Sequence, residues 1–479
     1  MKKFVFTIIV IAAFAALSLQ TFSQSLTLEI LLKNQPGNFV VLGKVSGDNF
    51  YPVDTLFLRR GQEATTKKAD YTFPINAGPG MYRLVLGKTT YAKVMDEAPQ
   101  QFDFIFNNED LIFETDFEMP VENLLVVLSE ENRVWFEFLQ KEKIIQDKLE
   151  ESAMEMDYYG TGLKQEAGSG SGKNEGKWEA AVEMYNSLQV QREEFINEMI
   201  ARNPGLFATK LIKMYREPFI NGNHSKEKRN EVFRKEYFNL HDFSDESLMN
   251  SSVYTDKVFQ YLTSYNHPGF TKTQLEKEYI KAVDVVLTNV NKNPKVYEFI
   301  LGYLVHGFEV LKMDYVLNYI ADNYSGSTCK TDEKTTLERK LEAKKMKVGT
   351  TVPDFSLTDS EGFIISLSDV QKEKTLILFW ASWCPHCKEM IPQIKSWAAN
   401  QDDLQVVAVS LDTSKTEWLK AISDLGIENW VNLSDLKKWD GKVATEYNIY
   451  ATPTMFIIDN NKKIRTTPLS VSDLNDFSF

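Results

Sequence analysis

Apolar residues follow three different rhythms along this chain. From Ser25 to about Glu118 they come in short runs, several alternating with polar positions: Phe39-Val-Val-Leu42, Val53-Asp-Thr-Leu-Phe-Leu58, Tyr82-Arg-Leu-Val-Leu86 and Phe102-Asp-Phe-Ile-Phe106. Gly37, Gly47, Gly61, Gly78-Pro-Gly80 and Gly87 punctuate them. Period-two alternation suits strands buried on one face, and the glycines supply turns. The spacing predicts a small β-sandwich over 25–118.

From about Pro120 the period becomes helical, and residues 119–324 are expected to form an α-helical domain. Ser129 is placed to cap a first helix, with Glu130 and Glu131 in its first turn and Val134, Trp135, Phe138, Ile145 and Leu149 along one face. Gly160 to Gly176 is rich in Gly and Ser and reads as a mobile loop. A second helix carries Trp178, Val182, Tyr185, Leu188, Phe195 and Met199, and Asn203-Pro204 ends it. Later faces are Leu275, Tyr279, Val283, Val286, Leu287 and Val290, then Val296, Phe299, Ile300 and Tyr303. No internal repeat is evident. Residues 325–347 are polar and charged, with a helix-like tail from Thr335, and read as a linker.

The third rhythm alternates strands with helices over 348–479, which argues for an α/β fold with a mixed sheet. Pro353–Leu357 and Phe363–Leu367 suggest a hairpin turning at Asp359–Gly362. A hydrophobic run, Thr375–Trp380, that reads as a buried strand and a helix-compatible run, Lys388–Ala399, follow; Pro392 should kink that helix. A strand over Gln405–Leu411, a helix over Lys415–Leu425, a short helix over Lys442–Tyr447, a hairpin around Asp459–Asn461 and a short final helix from Ser472 complete it.

Composition adds limits. The 479 residues suggest about three domains, and a net charge of −13 argues against a nucleic-acid partner. Residues 1–24 read as a signal peptide: Met1-Lys-Lys3, then an apolar run from Phe4 to Leu19, shorter than a membrane span. The folded part is therefore expected in the periplasm, with an uncleaved N-terminal membrane anchor as the alternative. No cysteine follows the apolar run, which excludes a lipoprotein anchor. Three cysteines are too few for a disulfide-stapled scaffold.

The chemistry concentrates at Trp380-Ala-Ser-Trp-Cys-Pro-His-Cys387. Cys384 lies where a strand ends and a helix begins, with Pro385 tolerated just inside the helix. A thiolate there is stabilised by the unpaired N–H groups and the positive end of the helix, below the ~8.5 of a free thiol. Cys387 lies about one turn further along the same face. One thiol can attack a substrate and the other resolve the mixed disulfide, so Cys384 and Cys387 are expected to cycle through a Cys384–Cys387 disulfide. Three other readings exist: half a zinc site, a structural disulfide, or inert core thiols. Zinc needs a second ligand pair, and the only other cysteine is Cys329, in a polar stretch, where it reads as a spare thiol, with a regulatory or intermolecular partner as the alternative. His224, His241, His267 and His306 form no metal-binding spacing, so no metal is expected.

Phe379 to Lys388 resembles the active site of the thioredoxin superfamily. Ile391-Pro392 and Ala451-Thr-Pro-Thr454 resemble its TlpA/ResA-type branch, exported thiol–disulfide oxidoreductases. The upstream segments resemble the β-domain and helical spacer found before such domains. The resemblance covers about the last quarter of the chain. It implies a cis bond at Thr452-Pro453, in a loop that packs beside the redox pair and shapes the substrate groove. It implies exchange with protein thiols and disulfides, an upstream electron donor or acceptor that can be membrane-bound, a role in cell redox homeostasis, and no cofactor beyond the cysteine pair. Trp383, Pro385 and His386 are expected to shape the site. Two positions depart from the pattern: Leu378 stands where many thioredoxins bury a carboxylate, and Met390 where the branch often has Glu, with Glu389 one residue earlier. Cys-Pro-His-Cys also resembles DsbA-type oxidants, so the potential is expected between about −120 mV and about −270 mV. Two other classes fit the sequence: a peroxiredoxin-type peroxidase, and a ligand- or client-binding protein with a secondary redox domain.

Overall fold

The computed structural model describes residues 25–61, 65–165, 171–324, 336–344 and 346–477. The expected signal segment, 1–24, and Cys329 lie outside them. The chain divides into two compact units: Met1–Asn266 with Val286–Ile300, and His267–Val285 with Leu301–Phe479.

The first unit opens with nine strands: β1 Thr27–Lys33, β2 Phe39–Ser46, β3 Asn49–Phe57, β4 Arg59–Arg60, β5 Thr66–Thr72, β6 Gly80–Gly87, β7 Gln100–Phe106, β8 Leu111–Asp116 and β9 Leu125–Leu128. They form two sheets, ordered β4-β5-β1-β8-β9 and β3-β2-β6-β7. Both sheets contribute to one apolar cluster, with Leu28, Ile30 and Phe113 from the first and Leu42, Leu84 and Phe104 from the second. Strand β9 falls inside the stretch read from sequence as helical; it pairs with β8 and lies at the sheet's edge.

Helix follows as expected, over Glu130–Gln165 and Ser171–Arg202. Ser129 caps the first, its hydroxyl accepting the Asn132 N–H at 2.9 Å. The mobile loop expected over Gly160–Gly176 is corrected: both helices run into that stretch, and only 166–170 lie outside the described residues. A helical glycine costs about 0.5–1 kcal/mol relative to alanine, which tertiary packing outweighs. At Gly160 a Cβ would stand 3.3 Å from Trp178 Nε1, so the glycine admits the indole of the facing helix. Glu131, read only as a first-turn acid, accepts the N–H groups of Phe207 and Ala208 at 2.9 and 2.7 Å. It thereby supplies the start of helix Phe207–Lys213 with the acceptors its free N–H groups require.

The second unit holds a seven-stranded mixed sheet. Its strands are β10 Ser356–Asp359, β11 Ile364–Ser366, β12 Lys374–Trp380, β13 Leu404–Ser410, β14 Val431–Ser434, β15 Thr454–Asp459 and β16 Ile464–Thr466, in the order β11-β10-β14-β13-β12-β15-β16. Strand β12 runs parallel to β13 and antiparallel to β15. Its residues from Thr375 to Trp380 are all buried, as a central strand covered on both faces requires. Leu378 is wholly buried there. Strand β14 escaped the sequence reading, because Val431-Asn-Leu-Ser434 is too short and polar to show a period. Helix Lys415–Leu425 is capped by Ser414 and closed by Gly426 at φ 61°, a conformation that suits glycine. Helix Thr336–Ala343 occupies the tail of the expected linker. The divisions drawn from sequence at 118/119 and 347/348 separate changes of rhythm, whereas the two units group elements across them.

Candidate active site

The site forms where β12 leaves the sheet. Hydrogen bonding of Leu411 N–H to Trp380 carbonyl, at 2.8 Å, holds the end of β12. The chain then turns, Cys384 N–H donating to Ala381 carbonyl at 3.2 Å, and helix Pro385–Ala398 begins with Cys384 as its N-cap and Pro385 at its first position. Pro392 lies inside this helix. The Cys384 sulfur occupies the place of a capping oxygen and accepts the Cys387 N–H at 3.2 Å. Its S–H donates to the Thr452 carbonyl at 3.4 Å. The Thr452–Pro453 bond is cis. Residues sixty-eight positions apart thus meet at one sulfur.

Both cysteines are free thiols, so the expected Cys384–Cys387 disulfide is not formed in this structure. Both are also largely covered, at 5% for Cys384 and 0% for Cys387, which makes Cys384 the more accessible by a small margin. Burial, with the neighbouring Cys384 sulfur second, pushes the Cys387 thiol up to about 12.

The flanking tryptophans divide. Trp380 is core, whereas Trp383 is 45% exposed and meets Trp439 edge-on at 6.1 Å between ring centroids. His386 and Glu389 both point to solvent, with Nδ1 and Oε2 4.0 Å apart. Glu389 therefore turns away from the sulfurs, as a one-residue shift around a helix should make it. Met390 instead packs against the domain core. A groove of about 530 Å³ runs beside the thiols, lined by His386, Glu389, Met390, Thr452, Pro453 and Leu469.

One residue of the site was missed from sequence. Asp412 follows β13 and is 1% exposed. Its carboxylate accepts the Ser382 N–H at 3.0 Å and the hydroxyls of Ser382 and Ser410 at 2.6 and 2.7 Å. It ties the Ala381–Trp383 bend to the neighbouring strand. The only sequence signal was an acid directly after a buried strand, Ser410-Leu-Asp412, and many exposed turns carry the same pattern.

Comparison with known proteins fits this geometry. The AhpC/TSA family model matches residues 348–467. Thioredoxin-like protein YneN of Bacillus subtilis is 31% identical over 120 residues, covering 24% of this chain and 68% of its own. The chain belongs to the thioredoxin-like thiol–disulfide oxidoreductase family. Thiol-disulfide oxidoreductase ResA of Bacillus thuringiensis is another relative, 29% identical over 125 residues, 25% of this chain and 68% of its own. A solved domain of a possible thiol-disulfide isomerase from Cytophaga hutchinsonii aligns at 34% identity over 27% of this chain and 90% of its own, with a TM-score of 0.25. The N-cap sulfur and the carbonyl before the cis-proline stand 3.4 Å apart.

Among the described residues, no group of three or more His, Cys, Asp or Glu side chains could hold a metal ion. His241 is buried between the Tyr237 and Arg216 carbonyls, at 2.8 and 3.1 Å.

Proposed function

We propose that this protein is an exported thiol–disulfide oxidoreductase that exchanges disulfides with other proteins through its Cys384-Pro-His-Cys387 pair. The single observation that carries the reading is the Cys384 sulfur at the helix start, bonded to the Cys387 N–H and to the carbonyl before Pro453.

The Cys384 thiolate attacks one sulfur of a client disulfide. The client S–S bond breaks, a mixed disulfide forms, and the client's other sulfur leaves as a thiolate that takes a proton. Cys387 then gives up its proton and attacks the Cys384 sulfur, releasing the client's first sulfur. Two electrons have passed from the dithiol to the client, and the reverse sequence oxidises a client dithiol. The high proton affinity of Cys387 keeps it from attacking early. Cysteine sulfur is the redox centre, so the reaction calls for no further cofactor. The groove along Pro453 suits an extended client segment.

Export rests on the run Met1–Leu19, and a periplasmic site would let the oxidised pair persist and meet a redox donor or acceptor. The two-sheet region, read as a sandwich, and the helices after it serve in this view as a positioning module. Deleting 1–24 should leave the chain in the cytoplasmic fraction.

The test of the exchange reading is reduction of insulin by the full chain with dithiothreitol as donor. The wild type should accelerate it, Cys384→Ser should abolish the effect, and Cys387→Ser should trap the client in a mixed disulfide. Retained activity in Cys384→Ser would end this reading. Consumption of hydrogen peroxide by the reduced chain, with no reaction toward insulin, would favour the peroxidase reading that the family match also admits.

A further inference from the structure

Helix Thr336–Ala343 precedes the segment that matches the family, yet one of its side chains reaches a turn that packs on Trp383. Arg339 is 7% exposed. Its Nη1 donates to the carbonyl of Trp439, and its Nη2 lies 3.7 Å from Asp440 Oδ1. Trp439 is the middle residue of a 3-10 turn, Lys438–Asp440.

That turn has an uncommon backbone. Leu436 and Lys438 both sit in the left-handed region, each at φ 56°. A leucine there persists only where its surroundings hold it. Ser434 Oγ accepts the Leu436 N–H at 3.1 Å and Asp435 accepts the Lys437 N–H at 3.0 Å. Arg339 grips the far end of the turn from a separate helix.

The turn delivers two side chains to one ring. Trp439 meets Trp383 at 66° between planes, and Lys438 Nζ lies 5.3 Å from the Trp383 centroid. Trp383 directly precedes Cys384. It is half-exposed, so part of its indole faces solvent next to Cys384 in the chain. The chain of contacts runs from Arg339 through Trp439 to Trp383, all within the second unit.

We propose that Arg339 is a positioning residue for client choice, which holds Trp383 through the Lys438–Asp440 turn so that a polypeptide flanking the attacked disulfide can lie on the indole. The inference rests on the exchange reading above and narrows it. The occupant is a polypeptide disulfide with an apolar side chain beside its cysteine. A small disulfide reacts at Cys384 without reaching the indole.

The test uses the full chain, reduced and freed of reductant, in single-turnover reactions with insulin and with oxidised glutathione. Arg339→Gln should slow the reaction with insulin by about tenfold, since misplacing a positioning surface by an ångström costs up to about a hundredfold. The rate with glutathione and the midpoint potential should stay within about twofold and about 10 mV, respectively. Trp439→Ala should show the same selective loss, and the double variant should lose no more than either single one, because both release the same indole. Should Arg339→Gln not fold, Trp439→Ala alone carries the same expectation. Equal losses on both substrates, unchanged rates, or additive losses would overturn the tether while leaving the exchange reading intact. A wild type that reacts with glutathione and not with insulin would overturn the protein-client reading itself.

Discussion

Cys387 offers the sharpest check on how the site works. Its thiol is wholly buried and pushed from 9.0 up to about 12, chiefly by burial and then by Cys384. Alkylation consumes thiolate. Near neutral pH a thiol at about 12 carries about a thousandfold less thiolate than one at 9.0. The more basic sulfur is the better nucleophile, and a Brønsted slope of about 0.4–0.5 returns about 15–30-fold of that loss. The native thiol should therefore react about 30–60-fold more slowly than a free one, before steric blockage adds to the difference. Cys384→Ser isolates Cys387 at the site, and it removes the smaller, Cys384 part of the shift, so the lower end of that range applies. The assay is iodoacetamide labelling at pH 7.5 with peptide mapping, which separates Cys387 from Cys329; the denatured variant supplies the free-thiol rate. The native rate should also climb about tenfold per pH unit up to about pH 11, without a plateau. A native rate within about threefold of the denatured one would refute burial as the cause of the asymmetry between the two thiols.

Asp412→Ala should cost about 2–4 kcal/mol in urea unfolding, because Ser382 N–H loses a charged acceptor in a buried place; a loss under about 1 kcal/mol would mean the bend holds itself. His386→Gly should move the potential in the reducing direction by less than about 30 mV in a glutathione titration, since the imidazole side chain is 82% exposed and its field is screened; a shift above about 60 mV would show direct action on the thiolate. Burial, helped by Lys257, pushes the His241 imidazole from 6.5 down to about 4. A depressed group favours folding above its unfolded value, so this contribution is complete above pH 6.5 and is lost as pH falls through about 4. The loss amounts to about 3 kcal/mol, and urea titrations of wild type against His241→Gln should show it as a slope present only in the wild type.

Much of the second unit was legible in the chain alone. After Thr375 the run Leu376–Phe379 offers no side chain that could face water, so a central strand accommodates it. Cys384 is the last residue before Pro385, and a proline at that point marks a helix start; the thiol's place at an N-cap followed from local sequence. These readings survive because hydrophobic period, capping and proline geometry act over a few residues. What tertiary structure decided was everything acting across distance or against local preference. Gly160 reads as loop by its own propensity, yet the fold sets it in a helix with Trp178 packed close against it, where a Cβ would be tight. Asp412 and Glu131 look like ordinary surface acids until the fold buries them where they accept backbone N–H groups from distant segments. The contact of Cys384 with the Thr452 carbonyl joins residues sixty-eight positions apart, and the Arg339 grip on Trp439 spans a hundred positions. Local pattern names the reacting sulfurs, because their chemistry depends on the next turn of helix. It leaves unnamed the residues that hold them, because which donor meets which acceptor is settled only when distant segments pack.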